Sequence, residues 1–490
     1  MTVGQEIDHT HFKASDFTRF RTHLEAETRL AREWFQQGRF VHDDPVAGFE
    51  IEAWLLDRHE GPAPLNEAFL RQFDDPMATP ELAAFNIEVN THPHPLKGRA
   101  LGLIHREMSA TWQRALEAAE AVGARALMTG ILPTLRPEHL RLGNMSSMKR
   151  YRALNREVFR SRQGRPVRLD IAGREHLLHL HRDVMLEAAT TSFQIHLQTP
   201  PDTAHQVYNA AIIASAPMVA AGANAPFLFG KDLWDETRIP VFEQAVEVGG
   251  YEEVARGPLR RVSFGSGYAR ESILECFEEN LAHFPVLLPM CSDTPPERFP
   301  HLRLHNGTIW RWNRPLIGFD DEGRPHVRIE HRVLPSGPTL ADSMANAAFF
   351  YGLVEDLLTE PGGPESLIPF AAAKDNFYQS ARLGLAAVLQ WRHGERIGIQ
   401  DLILDELLPR ARHGLQRLGL ARADSHHYLE ILAERVRSGR NGARWQRDFV
   451  ARHGRDMPAL TRALRRHQAT DDPVHQWDLQ PVSPEDSESC

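Results

Sequence analysis

Four short segments of the chain alternate polar residues with apolar ones, and glutamates lie on the polar side of three of them. Residues 48–57 place Glu50, Glu52 and Trp54 on one side and apolar side chains on the other. Because the side chains of a strand alternate between its two faces, this pattern predicts a half-buried strand of antiparallel type. The other segments and their polar residues are 84–91 with Asn86, Glu88 and Asn90, 191–198 with Gln194, His196 and Gln198, and 327–333 with Arg328, Glu330 and Arg332.

Several of these glutamates would meet on one concave polar face if the four strands share a sheet. Like charges held together disfavour ionisation unless a cation neutralises them, and oxygen ligands suit Mg²⁺ or Mn²⁺. Glu50 and Glu52 would lie about 7 Å apart along one strand, which suits two ions or one bridged pair. Glu81 either adds another acid or provides acidity at a helix start after Pro80. The candidate metal ligands are Glu50, Glu52, Glu81, Glu88, His196 and Glu330.

The alternative is a sheet with one solvated face, which any single strand would favour. Solvated faces usually hold Thr, Lys and Ser, whereas these four faces carry Glu, Gln, His, Asn and Arg and no lysine. Taken together, the four faces therefore favour a site that handles a nucleotide and several metal ions.

Arginines accompany the carboxylates. Glu330 and Arg332 share one face of a strand, and a metal ligand beside a guanidinium suits a transferring phosphoryl group, whose charge spreads over its oxygens. A plain ion pair between these two residues is the alternative.

Arg311 and Arg314 are interleaved with tryptophans in residues 308–315 and could bind a substrate carboxylate or phosphate. Stacking of arginine on tryptophan is the alternative there.

The composition indicates a globular protein with a large core. The chain has 490 residues, of which 42% are hydrophobic and 25% are charged. A formal net charge of −9 gives no basic footprint for nucleic acid, and three cysteines are too few for a disulfide framework or a zinc site. The N-terminus lacks a signal pattern, and no apolar run approaches the ~20 residues that span a bilayer. We therefore expect a cytoplasmic protein without a membrane or nucleic-acid partner.

Helix and turn signals surround the four strands. Residues 305–319 are strand-like, and the turn 320–325 would join them to the fourth segment as a hairpin. The predicted helices are 14–38, 99–121, 203–221, 268–283, 339–359, 374–391, 398–420, 425–437 and 442–467. This plan implies an α+β fold with an antiparallel sheet and helices on one face. The polar, Pro- and acid-rich residues 469–490 are expected to be disordered.

Six segments, taken in chain order, resemble motifs of the carboxylate–amine ligase family that includes the glutamate–cysteine ligases. GFEIEAWLLD resembles its Gly-x-Glu-x-Glu strand, PELAAFNIEVNTHP its second acidic strand, and TSFQIHLQTP its Gln/His strand. GANAPFLFGKDLWDETR resembles its Ala-Asn-x-Pro-Phe loop, RIEHRVLPSGPTLADSMA its Glu-x-Arg strand, and KDNFYQSARLGL its Ala-Arg-x-Gly-Leu helix. The resemblance runs from residue 45 to residue 390. Gln198, where many members have glycine, and the long helical C-terminus depart from the pattern.

The resemblance implies a glutamine-synthetase-like fold, in which a curved antiparallel sheet forms a funnel and the helices pack outside. ATP would enter one end of the funnel, and the amino-acid substrates would enter the other. Residues 14–395 would form the catalytic domain, and residues 396–468 a helical C-terminal extension.

The implied reaction depends on ATP and on Mg²⁺, with Mn²⁺ as a substitute. A glutamate-type side-chain carboxylate would be phosphorylated, and an amine, for example cysteine, would then attack it to give a γ-glutamyl-type amide. Arg332 would stabilise the moving phosphoryl group, with Glu330 beside it. The implied nucleotide-binding residues are Gln194, Asn224, Lys231 and Arg238, and the implied substrate-binding residues are Arg314, Arg311 and Asn90.

Two alternatives stay open on the sequence alone. A phosphotransferase on the same sheet would stop at the acyl or guanidino phosphate. A non-catalytic module would sense an amino acid or a nucleotide and would use its helical C-terminus for partner contacts. The sequence identifies small molecules as partners, but it shows no cysteine-selective pocket and does not indicate an oligomeric state.

Overall fold

The sheet at the centre of the protein is antiparallel throughout. The computed structural model describes residues 11–247 and 260–482. Its strands, in chain order, are β1 (Val46–Leu56), β2 (Ala78–Pro80), β3 (Asn86–Asn90), β4 (His94–Pro95), β5 (Arg125–Leu127), β6 (Val167–Ala172), β7 (His176–His181), β8 (Ser192–Thr199), β9 (Phe227–Leu228), β10 (Lys231–Asp232), β11 (Val262–Ser263), β12 (Trp310–Arg311), β13 (Asn313–Phe319), β14 (Pro325–Pro335), β15 (Val388–Gln390) and β16 (Arg396–Gly398). The central sheet runs β13–β14–β8–β1–β3–β2, with β4 and β5 also paired to β1, and it curls into a half-barrel.

The register of this sheet aligns the polar faces of the four segments. The cross-strand pairs are Glu52 with Glu88, Glu50 with Gln194, and Glu330 with His196. Directly opposed residues have Cβ atoms about 4.5–5.5 Å apart, so alternation along each strand places these side chains on one face. The predicted hairpin is confirmed, because β13 and β14 pair from Asn313 with His331 to Phe319 with Pro325.

Helices cover the opposite face and the rim of the sheet. They are α1 (Ala14–Gln36), α2 (Asn66–Phe73), α3 (Ala100–Ala121), α4 (Lys149–Ser161), α5 (Ala204–Gly222), α6 (Arg238–Ala245), α7 (Leu274–His283), α8 (Pro300–Gly307), α9 (Leu340–Leu357), α10 (Phe370–Leu383), α11 (Ile399–Asp401), α12 (Leu408–Arg417), α13 (Arg422–Arg437), α14 (Gly442–His453) and α15 (Met457–Gln468). A π-helical stretch, Leu402–Leu407, joins α11 to α12. Within the described part of the chain, every helix is too short or too polar to cross a membrane.

Two buried helices, α5 and α9, pack on the face of the sheet opposite the carboxylates. Phe49 of β1 stacks on Phe193 of β8 with 5.2 Å between ring centroids, and Tyr351 of α9 lies 6.0 Å from Phe49. The Tyr351 hydroxyl donates to the carbonyl oxygen of His196 at 3.0 Å. Burial of this apolar face stabilises the sheet at roughly 25 cal/mol per Å² of apolar surface removed from water. The polar face is therefore not needed for the core and can line a cavity.

Glycines account for two differences between the predicted and observed helices. The helix predicted over 374–391 ends before Gly384, whose φ of 55° is left-handed, and the chain then enters β15. The helix predicted over 442–467 is split into α14 and α15 at Gly454, which has a φ of 81°. In the strand predicted over 305–319, the first residues instead complete α8.

The C-terminal helices share two apolar cores with the sheet, and residues of both predicted regions, 14–395 and 396–468, contribute to each. α12 and α13 pack in the first core, and α14 and α15 pack in the second. The structure differs from the predicted disordered tail over 469–490, because its first part packs on the molecule. Val474 and Trp477 are buried, and the Trp477 ring stacks on His467 with centroids 4.9 Å apart. The polar composition of the segment hid this aromatic anchor. Residues 483–490 lie outside the described residues.

Candidate active site

The concave face of the sheet encloses a cavity of about 650 Å³, a size typical of small-molecule sites. The predicted site residues that line it come from five strands of the central sheet (β1, β3, β8, β13 and β14), from the start of α6 and from the connection between β2 and β3. They are Glu50, Glu52, Glu81, Glu88, Gln194, Arg238, Arg314, Glu330 and Arg332. The structure therefore brings the predicted carboxylates and most of the predicted arginines into one enclosure.

Three buried side chains, those of Glu50, His196 and Glu330, form a cluster that we call the first carboxylate group after its two glutamates. One ligand atom from each residue lies within 4.8 Å of the other two. His196 Nε2 is 3.1 Å from Glu50 Oε1 and 4.0 Å from Glu330 Oε1. Neither ring nitrogen of His196 makes a hydrogen bond of good geometry to the described residues. A buried imidazole in this position fits the role of a metal ligand better than that of a hydrogen-bonded core residue.

Both carboxylates of the first group favour the ionised form. Burial acts to raise the pKa of Glu330, but Arg314 and Arg332 outweigh it, so this pKa lies well below its usual range. Burial also acts to raise the pKa of Glu50, but His196 outweighs it and the pKa is lowered. Divalent cations bind deprotonated carboxylates, so the group is prepared for metal binding.

The second carboxylate group consists of Glu52, Glu81 and Glu88, which also offer ligand atoms within 4.8 Å of one another. Neighbouring side chains orient two of them. Glu52 accepts from the backbone N–H and the hydroxyl of Ser192, each at 2.7 Å. Glu88 Oε1 accepts from Nδ2 of Asn90 at 2.9 Å. The carboxylates are thus fixed in direction before any ligand arrives.

Charge repulsion distinguishes the second group from the first. Burial, followed by repulsion from Glu52, raises the pKa of Glu81 to about 7. Burial, followed by repulsion from Glu50 and Glu81, raises the pKa of Glu88 well above its usual range. Burial also raises the pKa of Glu52, although Ser192 opposes the shift. Crowded carboxylates of this kind are stabilised by a bound cation, so the donor sets of both groups fit Mg²⁺.

Arg332 connects the two carboxylate groups. Its Nη1 donates to Glu330 Oε2 at 3.0 Å and also to Oε1 of Gln194. Gln194 in turn donates from Nε2 to Glu52 Oε1 at 3.0 Å. The guanidinium is therefore held beside the first group directly and is linked to the second through one amide. A buried guanidinium in this position offers several N–H donors to an anionic group in the cavity.

A β-bulge in β14 sets the direction of Arg332. The register between β14 and β8 shifts over residues 331–334. Arg238, at the start of α6, donates from Nη2 to the carbonyl oxygens of Arg332 at 3.1 Å and Val333 at 2.6 Å. Its Nε lies 3.4 Å from a carboxylate oxygen of the buried Glu236. Bulges re-aim side chains next to active sites, and here Arg238 holds the bulge as well as lining the cavity.

Two of the predicted nucleotide-binding residues do not line the cavity. Lys231 is exposed, and its Nζ lies 3.4 Å from Glu175 Oε1. Asn224 is buried, and its Nδ2 donates to the carbonyl oxygen of Ser336 at 2.9 Å while its side-chain oxygen accepts from Gln446 at 3.0 Å. Asn224, in the loop motif that suggested these residues, therefore helps to fix the backbone behind β14, and nucleotide binding by Lys231 and Asn224 stays a prediction.

Two of the predicted substrate-binding residues also lie outside the lining of the cavity. Arg311 is buried and donates from Nη2 to Glu279 Oε1 at 3.0 Å and to Asn280 Oδ1 at 2.9 Å. Its guanidinium is therefore committed to contacts with α7. Asn90 acts on the site indirectly, because it orients the carboxylate of Glu88. Alternation along a strand could not reveal either arrangement, because both depend on tertiary neighbours.

Several lining residues were missing from the predicted site. They are Arg150, Tyr151, Glu187, Arg298, Arg303 and Arg328. Burial, followed by repulsion from Glu81, raises the pKa of Glu187 to about 8. Glu187 lies in a short 3₁₀ helix, Val184–Ala189, where no periodic pattern points into the cavity. Arg328, by contrast, was identifiable, because it alternates with Glu330 and Arg332 on the polar face of β14.

Comparisons with known proteins identify a family and a fold for this chain. Residues 46–467 match the family described as glutamate-cysteine ligase family 2. No curated protein sequence matches the chain. Among solved structures, a glutamate–cysteine ligase from Francisella tularensis in complex with AMP aligns with a TM-score of 0.54 and 12% identity, over 90% of this chain and 91% of that one. A bifunctional glutathione synthetase from Pasteurella multocida aligns with a TM-score of 0.48 and 10% identity, over 90% and 54% of the two chains.

The alignment to the F. tularensis structure concerns the fold. It confirms the predicted glutamine-synthetase-like curved antiparallel sheet with helices packed outside. The family match covers far more than half of the chain, including β1, β3, β8 and β14 and the C-terminal helices as far as α15. The protein therefore belongs to glutamate-cysteine ligase family 2.

Proposed function

We propose that this protein is an ATP- and Mg²⁺-dependent ligase that activates the γ-carboxylate of a glutamate-type donor and couples it to an amine. Cysteine is the first acceptor to test. One observation carries the proposal. The first carboxylate group, whose glutamate pKa values are lowered, and the second, whose pKa values are raised, meet in one cavity, and Arg332 is held between them. The AMP bound to the F. tularensis ligase of the same fold supports an adenine nucleotide as the second substrate.

The chemical difficulty of such a reaction is that both substrates are anions. When bound, Mg²⁺ would neutralise charge on the ATP phosphates and on the donor carboxylate, which otherwise repel one another. The residues that would hold it are Glu50, His196 and Glu330 in the first group and Glu52, Glu81 and Glu88 in the second. The two groups lie on adjacent strands, so both can face one polyphosphate.

In the proposed first step, a donor carboxylate oxygen attacks the γ-phosphorus of ATP. The bond from this phosphorus to the β,γ-bridging oxygen breaks, and ADP leaves with that oxygen. Arg332 would donate N–H groups to the phosphoryl oxygens as charge spreads over them, which is a typical role of a positioned guanidinium. Gln194 and Glu330 hold Arg332 in place, so little side-chain freedom remains to be lost in the transition state.

In the proposed second step, the acceptor amine attacks the acyl carbon of the mixed anhydride. The carbon–oxygen bond to the phosphate breaks, the phosphate takes the electron pair, and the amine proton passes to it. Arg332 would retain the departing phosphate through the same N–H groups. The products are the amide, ADP and phosphate, which distinguishes this ligase from a phosphotransferase that stops after the first step.

The decisive experiment measures ADP release and amide formation by the full chain, with glutamate and a panel of amines, with and without Mg²⁺. We expect ADP and amide in equal amounts for at least one amine, and neither product when the metal is chelated. Cysteine, other amino acids and simple alkylamines form the panel. ADP release without amide for every amine would favour the phosphotransferase. A lack of ADP with every pair would overturn the proposed function.

A further inference from the structure

One acidic side chain of the active-site cavity belongs to neither carboxylate group. Glu187 lines the cavity from the short 3₁₀ helix Val184–Ala189, which precedes β8. It is not among the side chains of the two groups, whose ligand atoms lie within 4.8 Å of one another. The metal ions of the proposed function therefore do not account for Glu187.

One carboxylate oxygen of Glu187 is buried without a partner. Within the described part of the chain, no group forms a hydrogen bond with its Oε2. The charged side chains that act on it, Glu81, Arg332 and Glu52, do so by electrostatic attraction or repulsion alone. Glu52, by contrast, accepts two hydrogen bonds from Ser192. Buried polar groups are normally hydrogen-bonded, so an unsatisfied carboxylate at a cavity wall indicates a ligand.

Hydrogen bonds at both ends of the 3₁₀ helix hold the backbone of Glu187 in place. At the start of the helix, the Asp183 side chain accepts from the backbone N–H of Met185 at 2.9 Å. A second backbone N–H of the helix donates to Asn155 Oδ1 of α4 at 3.1 Å. At the other end, the Thr190 hydroxyl donates to the carbonyl oxygen of Glu187 at 2.9 Å. The unpaired side chain therefore extends from a fixed backbone, which reduces the cost of ordering it around a ligand.

The charge of this part of the cavity determines which ligand fits. A single divalent ion does not neutralise the carboxylates of the second group when all of them are ionised, and Glu187 adds another acid near them. Burial, followed by repulsion from Glu81, raises the pKa of Glu187 to about 8, so a nearby cation is needed to keep it ionised at neutral pH. Phosphates and substrate carboxylates would be repelled here. An ammonium group, in contrast, brings both a positive charge and N–H donors.

We propose that Glu187 binds an ammonium group of a substrate and thereby helps to select the substrates of the ligase. The inference rests on the proposed function, in which the glutamate-type donor carries an α-ammonium and the acceptor amine arrives as an ammonium. In either case the N–H groups would donate to the Glu187 carboxylate, and the positive charge would offset the excess of carboxylates beside the second group. Glu187 would thus recognise a charge opposite to the one that the cavity arginines recognise.

The test compares the wild-type chain with Glu187→Gln, which keeps the size of the side chain and removes its charge. Equilibrium binding of each substrate is measured with Mg²⁺ and the non-hydrolysable β,γ-methylene analogue of ATP, so the readout needs no turnover. Loss of a charge-assisted hydrogen bond should weaken binding of the recognised substrate by about 10–100-fold. Glu278→Gln, at a surface ion pair with Arg32, is the control and should leave every affinity unchanged.

Two arms of the experiment distinguish the source of the ammonium. The donor arm uses glutarate, which lacks the α-ammonium of glutamate. If Glu187 binds the donor, the preference of the wild-type chain for glutamate over glutarate should shrink by about 10–100-fold in Glu187→Gln. If it binds the acceptor, that preference should persist, and the variant should instead bind the amine more weakly. In turnover assays, the KM for the recognised substrate should rise by the same factor, with a smaller change in kcat.

Unchanged affinities for glutamate and for every amine in Glu187→Gln would overturn the assignment. A loss of Mg²⁺ affinity by more than about tenfold, with substrate affinities unchanged, would also overturn it, because Glu187 would then be a metal ligand. If the wild-type chain binds neither glutamate nor any amine, the proposed function itself fails, and this inference fails with it. Because the Oε2 atom of Glu187 has no partner to lose, the variant should unfold at no lower temperature than the wild-type chain, which excludes misfolding as the cause of weaker binding.

Discussion

Arg314 forms a two-point ion pair with Glu330, in which Nε lies 2.8 Å from Oε2 and Nη2 lies 3.0 Å from Oε1. The two residues are opposite each other on β13 and β14, so the backbone register itself creates this pair. The family resemblance assigned Arg314 to a substrate carboxylate, yet its Nε and Nη2 both donate to Glu330. Its main effect is therefore to hold Glu330 ionised and correctly oriented within the first carboxylate group.

Arg314→Lys tests this positioning. Lysine carries the charge but cannot contact both carboxylate oxygens in a planar fork. We expect kcat for ADP release to fall by about 10–100-fold and the Mg²⁺ concentration for half-maximal rate to change, since Glu330 loses its fixed direction. Arg324→Lys is the control, because the ion pairs of the exposed Arg324, with Asp320, Asp43 and Glu322, lie at the surface. Equal losses in both variants would contradict the assignment.

Glu50→Gln tests the first carboxylate group directly. The amide keeps the size of the side chain but removes one negative charge beside His196. If the group binds Mg²⁺, ADP release should fall by at least about 10²-fold, and excess Mg²⁺ should restore part of it. Glu278→Gln serves as the control, because Glu278 forms a surface ion pair with Arg32 at 2.6 Å. Normal turnover in Glu50→Gln would exclude this carboxylate as a required ligand.

The second carboxylate group predicts a pH dependence of Mg²⁺ affinity. Burial, followed by repulsion from Glu52, raises the pKa of Glu81 to about 7, so the residue is largely protonated below this pH. Metal must displace that proton, and the apparent affinity should therefore rise with pH through the pKa of Glu81. Mg²⁺ titrations of ADP release between about pH 6 and pH 8 measure it. In Glu81→Gln the affinity should be lower and should vary less over this range.

Arg435→Met tests how firmly the C-terminal helices belong to the fold. Arg435 of α13 is buried and donates to Asp342 Oδ1 at 2.7 Å and to Asn346 Oδ1 at 2.6 Å, both on α9. Removing one partner of a buried pair leaves an uncompensated charge, so the free energy of unfolding should fall by about 3–5 kcal/mol. Arg437→Met, two residues later but at the surface, should change it by less than about 1 kcal/mol. Urea unfolding measures both.

His305 predicts a loss of stability in acid. Burial lowers the pKa of this histidine to about 4, while an unfolded chain has a value of about 6.5. The unfolded state therefore binds more protons between these values, and stability that is complete above about pH 6.5 declines as the pH falls toward 4. In His305→Gln the loss in unfolding free energy between about pH 7 and pH 4.5 should be smaller by about 2–3 kcal/mol. An identical loss would contradict the contribution of His305.

The residues that sequence reasoning located and those it missed differ in what positions them. Glu50, Glu88 and Glu330 stand in strands whose alternate residues enter an apolar core, so local periodicity is sufficient to orient them. Glu187 lies in a short 3₁₀ helix and Lys231 in the two-residue strand β10, and in such short elements the direction of a side chain depends on which element packs nearby. The alternation of polar and apolar residues does not reveal such neighbours. Lys231 was assigned to the nucleotide only because its loop resembles a family motif.

Backbone conformation limited the prediction of elements in a similar way. The break at Gly454 was not recognised, since a helical apolar pattern continues on both sides of it. The packing of Trp477 was hidden by its polar flanks, because composition averages over a segment whose single aromatic ring decides the outcome. In contrast, the shared antiparallel sheet and the hairpin of β13 and β14 were predicted from the alternating pattern and the short turn.

The strict alternation of β1 has an evolutionary consequence. Its odd-numbered residues from Phe49 to Leu55 enter the core, while Glu50 and Glu52 face the cavity. Deleting or inserting a single residue in this strand would exchange the two sets, moving carboxylates into hydrocarbon and rings into the cavity. Insertions and deletions among descendants of this gene should therefore be confined to the loops, since a one-residue shift in β1 would abolish both folding and catalytic activity.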